Sequence, residues 1–131
     1  MERKRTMIKA VICDDELATR NIICHFLEEE QLPIEIVGNV EDGEEAIQLI
    51  KETSPRLIFL DIHMPQKNGF QVIEEVSREV GPQIIVLTAF ASFENAQQAL
   101  RLGVSDILSK PVDFEQLKAA IFRAVGWKFT S

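Results

Sequence analysis

The chain has 131 residues, 46% of them hydrophobic and 27% charged, with a formal net charge of −7. That length and balance suit an ordinary globular protein of one domain with a single core. The acidic excess argues against nucleic-acid binding by this domain, which draws on clustered Lys and Arg, and no apolar stretch is long enough to span a membrane.

The first six residues, Met1 to Thr6, are basic but lead straight into a short strand-like run. They lack the long apolar region and cleavage site of a signal peptide, so they read as an N-terminal extension of a cytoplasmic protein. The apolar run 8–13 ends in two adjacent acids, Asp14 and Asp15. A helix should follow from about Glu16 to Glu30, with Ile23, Phe26 and Leu27 inward. A second apolar run spans 34–37, and Asp42-x-x-Glu45 then opens a helix in the manner of a capping box. The run 57–60 ends in Asp61. Over 70–80, Val72, Ile73, Val76 and Val80 share a helical face, and Gly81-Pro82 closes the segment. The run 84–87 leads into Thr88 and Ala89. Over 92–102, Phe93, Ala96 and Leu100 recur at helical spacing, with Gly103 at the place of a C-terminal cap. A weaker run at 106–109 precedes Lys110-Pro111, and a last helix over 113–125 starts at Asp113-x-x-Gln116 and carries the stripe Leu117, Ile121 and Val125. Residues 127–131 break that stripe and read as a tail or the start of a linker.

Short continuous runs of Ile, Val and Leu suit strands buried on both faces of a parallel sheet. Their alternation with helices predicts right-handed crossovers and a three-layer α/β sandwich. Asp14, Asp15, Asp61, Thr88 and Lys110 then all fall at carboxyl ends of strands, where open parallel sheets bind ligands. Three converging carboxylates repel one another and call for a hard cation. Carboxylates with a hydroxyl and an ammonium suit phosphoryl transfer onto a carboxylate, giving an acyl phosphate held by fixed donors. Taken singly, each residue has a plainer reading: Asp14 and Asp15 as caps of the first helix, Thr88 as a β-branched strand residue, Lys110 as a surface charge. Their combination favours the site. Cys13 and Cys24 have no metal-ligand spacing and read as buried thiols, and His25 as a helix-surface residue.

In order and spacing, Asp14-Asp15, Asp61 within Leu60-Asp61-Ile62-His63-Met64-Pro65, Gly69, Thr88-Ala89 and Lys110-Pro111 resemble the receiver domains of two-component response regulators. The resemblance covers about Met7 to Val125 and implies a receiver unit over 7–126. It implies a flavodoxin-like, doubly wound (βα)5 sandwich with a parallel five-stranded sheet of order 2-1-3-4-5. Asp61 would accept phosphate from a sensor histidine kinase or phosphotransfer protein. Asp14, Asp15, Asp61 and the backbone carbonyl of His63 would hold Mg²⁺, for which Mn²⁺ could substitute, with Asp14 acting largely through water. Thr88, Ala89 and Lys110 would read the phosphoryl group, and the bond before Pro111 would be cis. Such a module catalyses only its own phosphorylation and dephosphorylation. It binds neither nucleic acid nor membrane, and its 92–125 face could pair two copies.

Ile107 departs from the pattern, because receivers commonly carry Tyr or Phe three residues before the Lys. An Ile cannot report the phosphoryl state by swinging a ring with a polar tip, so the Thr88 movement would pass instead through the 89–93 loop with Phe90 and Phe93. A phosphorylation-independent pseudo-receiver is therefore an alternative. A phosphatase of the haloacid dehalogenase type is another, although His63 stands where those enzymes carry a second Asp. The stretches around Thr88, Phe93 and Gly103 also look like receivers that precede AraC-type DNA-binding domains. The reading is the regulatory part of a transcriptional regulator, with a stand-alone receiver as the alternative.

Overall fold

A computed structural model describes residues 7–64, 68–77, 81–89 and 92–127, apart from the side chain of Phe93. Readings that touch residues 1–6, Pro65, Val80, Phe90, the Phe93 side chain and 128–131 lie outside it. Five strands alternate with five helices: β1 (Ile8–Cys13), α1 (Leu17–Glu29), β2 (Ile34–Val40), α2 (Gly43–Thr53), β3 (Leu57–Leu60), α3 (Gly69–Val76), β4 (Gln83–Thr88), α4 (Phe93–Arg101), β5 (Asp106–Ser109) and α5 (Phe114–Val125). All strand pairs are parallel, in the order β2-β1-β3-β4-β5. The sheet is the expected doubly wound one.

Strand parity builds two cores. Side chains alternate faces along a strand. Ala10, Ile12, Phe59, Ile85 and Leu87 accordingly meet Ile23, Phe26 and Leu27 of α1 and Leu117, Ile121 and Val125 of α5. Val11, Cys13, Ile58, Leu60, Ile84 and Val86 meet α2, α3 and α4 on the other face. Both faces being covered, the central strands can be apolar throughout.

Helix starts follow the local chemistry. The side chains of Asp42, Asn68, Ser92 and Asp113 accept the backbone N–H groups of Glu45, Gln71, Asn95 and Gln116. At α3 the cap is reciprocal: Gln71 also accepts the Asn68 N–H. Gly103 and Gly126 take φ values of 90° and 77° just past α4 and α5, as left-handed C-terminal caps require.

Three expectations needed correction. First, β2 runs on to Val40: the β1–β2 register shifts between Ala10 and Val11, leaving Val37 as the extra residue of a bulge, and pairing resumes at Gly38 and continues to Val40. Second, α3 stops at Val76 with Ser77 at its C-cap, short of the expected end at 80. Third, α4 buries Ala99 rather than Leu100, which is 58% exposed. The C-terminal turn sets that rotation: the N–H groups of Gly103 and Val104 bond the carbonyls of Leu100 and Ala99, and the small Ala99 faces the sheet. Of the two cysteines, Cys13 is buried and Cys24 only half-buried against the α1–α5 core.

Two glycines give a graded test. A Cβ on Gly69 would fall 2.5 Å from Ile62 Cα and 2.9 Å from the Asp61 carbonyl oxygen, both fixed backbone. One on Gly38 would meet the mobile end of Leu49 at 2.6 Å. Gly69→Ala should cost about 1–3 kcal/mol and Gly38→Ala less than about 1 kcal/mol in urea unfolding. Equal costs would contradict the packing described.

Candidate functional site

Each polar residue is placed by the sheet's own hydrogen bonding, carried one residue beyond the strands. The Asp14 N–H donates to the Val40 carbonyl at 3.0 Å, the Asp61 N–H to the Cys13 carbonyl at 2.9 Å, and the Lys110 N–H to the Thr88 carbonyl at 2.9 Å. β1 and β3 lie side by side although β2 separates them in sequence. The crevice at their carboxyl ends is where the chain reverses direction across the sheet, the place open α/β sheets use for ligands.

Asp14, Asp15 and Asp61 come together there, with carboxylate oxygens within 4.8 Å of one another. Asp14 and Asp61 are buried and Asp15 is exposed. The Lys110 ammonium sits among them, 2.9 Å from Asp14 Oδ2 and 3.0 Å from Asp61 Oδ2. It also donates to Glu16 Oε1 at 2.6 Å. Asp61 Oδ1 accepts the His63 N–H at 2.8 Å, and Asp14 Oδ1 accepts the Glu16 N–H at 2.8 Å. Asp14 Oδ2, although close to the ammonium, has no aligned hydrogen-bond donor among the described residues. The Asp14–Lys110 contact is thus a contact of charge rather than a directed bond. A buried carboxylate oxygen left in that state, beside two more carboxylates, is a donor set of the kind a hard divalent cation takes.

The electrostatics follow from burial. Desolvation raises the Asp14 pKa, and the Asp61 charge adds to it; the Glu16 N–H and the Lys110 ammonium only partly offset the rise. Burial pulls the Lys110 pKa down, but its close contacts with the Glu16, Asp14 and Asp61 carboxylates outweigh that and hold the ammonium above the ordinary lysine range. Burial, then the Asp14 charge, raises the Cys13 thiol, which stays protonated and inert.

Thr88 is fully buried at the end of β4, and Ala89 is exposed just beyond it. An open cleft of about 270 Å³, lined by Asp15, Glu16, Asp61, His63 and Ala89, leads to the Asp61 carboxylate. The Lys110–Pro111 bond is cis. Ile107 is half-buried against the core formed with α2, α3 and α4. His25 lies on the helix surface, 3.8 Å from Glu29. Asp14 and Asp15 do not cap α1; Glu16 occupies the N-cap position. Glu16 is the site residue the sequence reading passed over. Its signal was an acid directly after Asp14-Asp15, which also suits an ordinary first helical turn.

The response regulator receiver domain family matches residues 10–122, and the chain belongs to it. It is a signalling module of two-component systems. It is 36% identical over 112 residues to an uncharacterized response regulatory protein of Staphylococcus epidermidis, covering 86% of this chain and 44% of that protein. It is 33% identical over 119 residues to the transcriptional regulatory protein HptR of Staphylococcus aureus, covering 91% of this chain and 47% of that one. The chain thus spans less than half the length of these two relatives. Among solved structures, the receiver domain of AraT, a response regulator from Geobacillus stearothermophilus, superimposes with a TM-score of 0.82 at 30% identity, covering 92% of this chain and 95% of that domain. Among the described residues, no helix is long and apolar enough to cross a membrane.

Asp14→Asn tests the charge surplus. The amide keeps an oxygen for the Glu16 N–H and removes a desolvated charge that repels Asp61. A carboxylate with a raised pKa favours folding most below its unfolded pKa and loses that contribution as pH rises through the folded value. At neutral pH and without metal, Asp14→Asn should therefore raise stability by about 1 kcal/mol, a gain that shrinks on acidification. Thermal unfolding across pH reads it. A loss of stability at neutral pH would show that the charge is well compensated.

Proposed function

We propose that Asp61 is the phosphoacceptor and that the chain, as a receiver unit over 7–126, is the phosphorylation-controlled switch of a transcriptional response regulator. The observation that carries the proposal is the state of Asp61: a buried carboxylate at the foot of an open cleft, with Oδ1 held by the His63 N–H and Oδ2 by Lys110. Asp14, Asp15, Asp61 and the His63 backbone carbonyl would hold Mg²⁺, or Mn²⁺ in its place, with Asp14 acting largely through water. The bound cation would offset the carboxylates' repulsion and the charge of the incoming phosphoryl group. Lys110, the Thr88 hydroxyl and Ala89 would bind the phosphoryl oxygens. Phosphorylation would then shift an equilibrium between conformers rather than create a new fold. With Ile107 in place of an aromatic residue, that shift would not be carried by a ring rotation at this position.

The donor would be a sensor histidine kinase or phosphotransfer protein. A groove of about 350 Å³ beside the site, lined by Ala18, Thr19 and Ile22 of α1 and by Lys110, Pro111 and Val112, supports docking there. The output, read from the name of the staphylococcal relative, would be transcription, through a part of the protein outside this chain. The 92–125 face could pair two copies.

Incubation with acetyl phosphate and Mg²⁺, followed by intact mass, tests the proposal. Wild type should gain one phosphoryl group, and Asp61→Ala and a magnesium-free sample none. A gain that persists in Asp61→Ala would overturn the assignment. Sustained turnover of a generic phosphomonoester would favour the phosphatase reading; the absence of any gain would favour the pseudo-receiver or a receiver that accepts phosphate only from its protein partner, which beryllium fluoride binding separates.

A further inference from the structure

Glu16 makes the shortest contact of the Lys110 ammonium, 2.6 Å, against 2.9 Å to Asp14 and 3.0 Å to Asp61. The three contacts are all with carboxylates, and those to Glu16 and Asp61 are aligned hydrogen bonds. The partners differ in how firmly they are held. The side chains of Asp14 and Asp61 are buried at the ends of β1 and β3, whereas that of Glu16 is 55% exposed. Glu16 also occupies the N-cap of α1, where Ser, Thr, Asp or Asn would bond the first free N–H groups. Its side chain makes no such bond. It reaches instead to a lysine 94 residues away. Together with Ala89 it lines both the cleft over Asp61 and the groove beside α1. It stands at the mouth of the cleft that leads to Asp61.

We propose that Glu16 is a positioning residue that latches the Lys110 ammonium in the unphosphorylated protein and must release it as Asp61 becomes phosphorylated. The proposal rests on Asp61 as acceptor. With acetyl phosphate, an Asp61 carboxylate oxygen attacks phosphorus. The new P–O bond forms as the bond from phosphorus to the donor's carboxyl oxygen breaks. Acetate leaves with the bonding pair, and no proton is transferred. The acyl phosphate carries one more negative charge than the carboxylate it replaces, and Lys110 must turn a donor to a phosphoryl oxygen. While Glu16 holds that donor, the ammonium is committed elsewhere. Swinging Glu16 into solvent frees it, so the residue sets the balance between the two states through Lys110 without touching phosphorus.

Three proteins decide the matter: wild type, Glu16→Ala and Glu16→Asp. Aspartate keeps the charge but is one methylene too short to reach Nζ, and it is a good cap for α1. Rates of acetyl phosphate incorporation with Mg²⁺ are followed by intact mass. In parallel, the Lys110 side-chain ammonium protons are followed by ¹⁵N NMR in metal-free protein. Both variants should phosphorylate about threefold faster than wild type, the scale of one partly exposed ion pair, and both should lose the protected ammonium signal. If Glu16→Ala is fast and Glu16→Asp matches wild type, diffuse charge at the cleft mouth is responsible and the latch is overturned. Unchanged or slower rates in both variants overturn it as well. If wild type itself gains no phosphoryl group, the acceptor reading is what fails, and the ammonium signal still decides whether Glu16 holds Lys110.

Discussion

The Lys110 ammonium, enclosed by carboxylates at the carboxyl edge of the sheet, is the interaction on which the site depends. Asp14 and Asp61 are both buried and lie close enough to repel. A charge removed from water is tolerated only when paired and hydrogen-bonded. Lys110 supplies the pairing, the His63 and Glu16 N–H groups supply part of the bonding, and Asp14 Oδ2 is left short. One ammonium among so many carboxylates leaves negative charge in surplus. That surplus is of the kind a hard divalent cation offsets.

The rest of the fold holds these groups in place. Because strand parity sends alternate residues to two separate cores, β1 and β3 are locked from both faces. Hydrogen bonding continues one residue past each of them, so the acids at their ends are held by their backbone as well as by side-chain bonds to the Glu16 and His63 N–H groups. Gly69 approaches the Asp61–Ile62 backbone closely, and its N–H bonds the Ile62 carbonyl at 3.0 Å, which holds the backbone at the end of β3. Lys110 arrives from the end of β5 and reaches across β4 to the acids at the ends of β1 and β3.

Much of this was legible in the residues. Ile12-Cys13-Asp14 and Phe59-Leu60-Asp61 announce buried strands that end in acids, and the chain order of Thr88 and Lys110 puts them on the same edge. The helix starts at Asp42 and Asp113 follow from one local bond each. What the sequence hid depends on tertiary geometry. Gly38-Asn39 interrupts the apolar run of β2, so the pairing that continues through both residues after the bulge left no pattern. The face of α4 is set by its C-terminal turn, which moved burial from Leu100 to Ala99. The contact of Glu16 with Lys110 joins residues far apart in the chain, and nothing in the local composition separates it from an ordinary acid at a helix start.

Ile107 sits half-buried beside that machinery, where it packs as an aliphatic residue and offers no polar tip to solvent. A double-mutant cycle measures the charge balance at Lys110 directly. Lys110→Met, Asp14→Asn and the double variant would be unfolded in urea at neutral pH without metal, and the coupling read from the four stabilities. If Lys110 compensates the buried acids, Asp14→Asn should stabilise the Lys110→Met protein far more than it stabilises wild type. Equal effects in the two backgrounds would show that the ammonium and Asp14 are energetically independent, and would contradict the account.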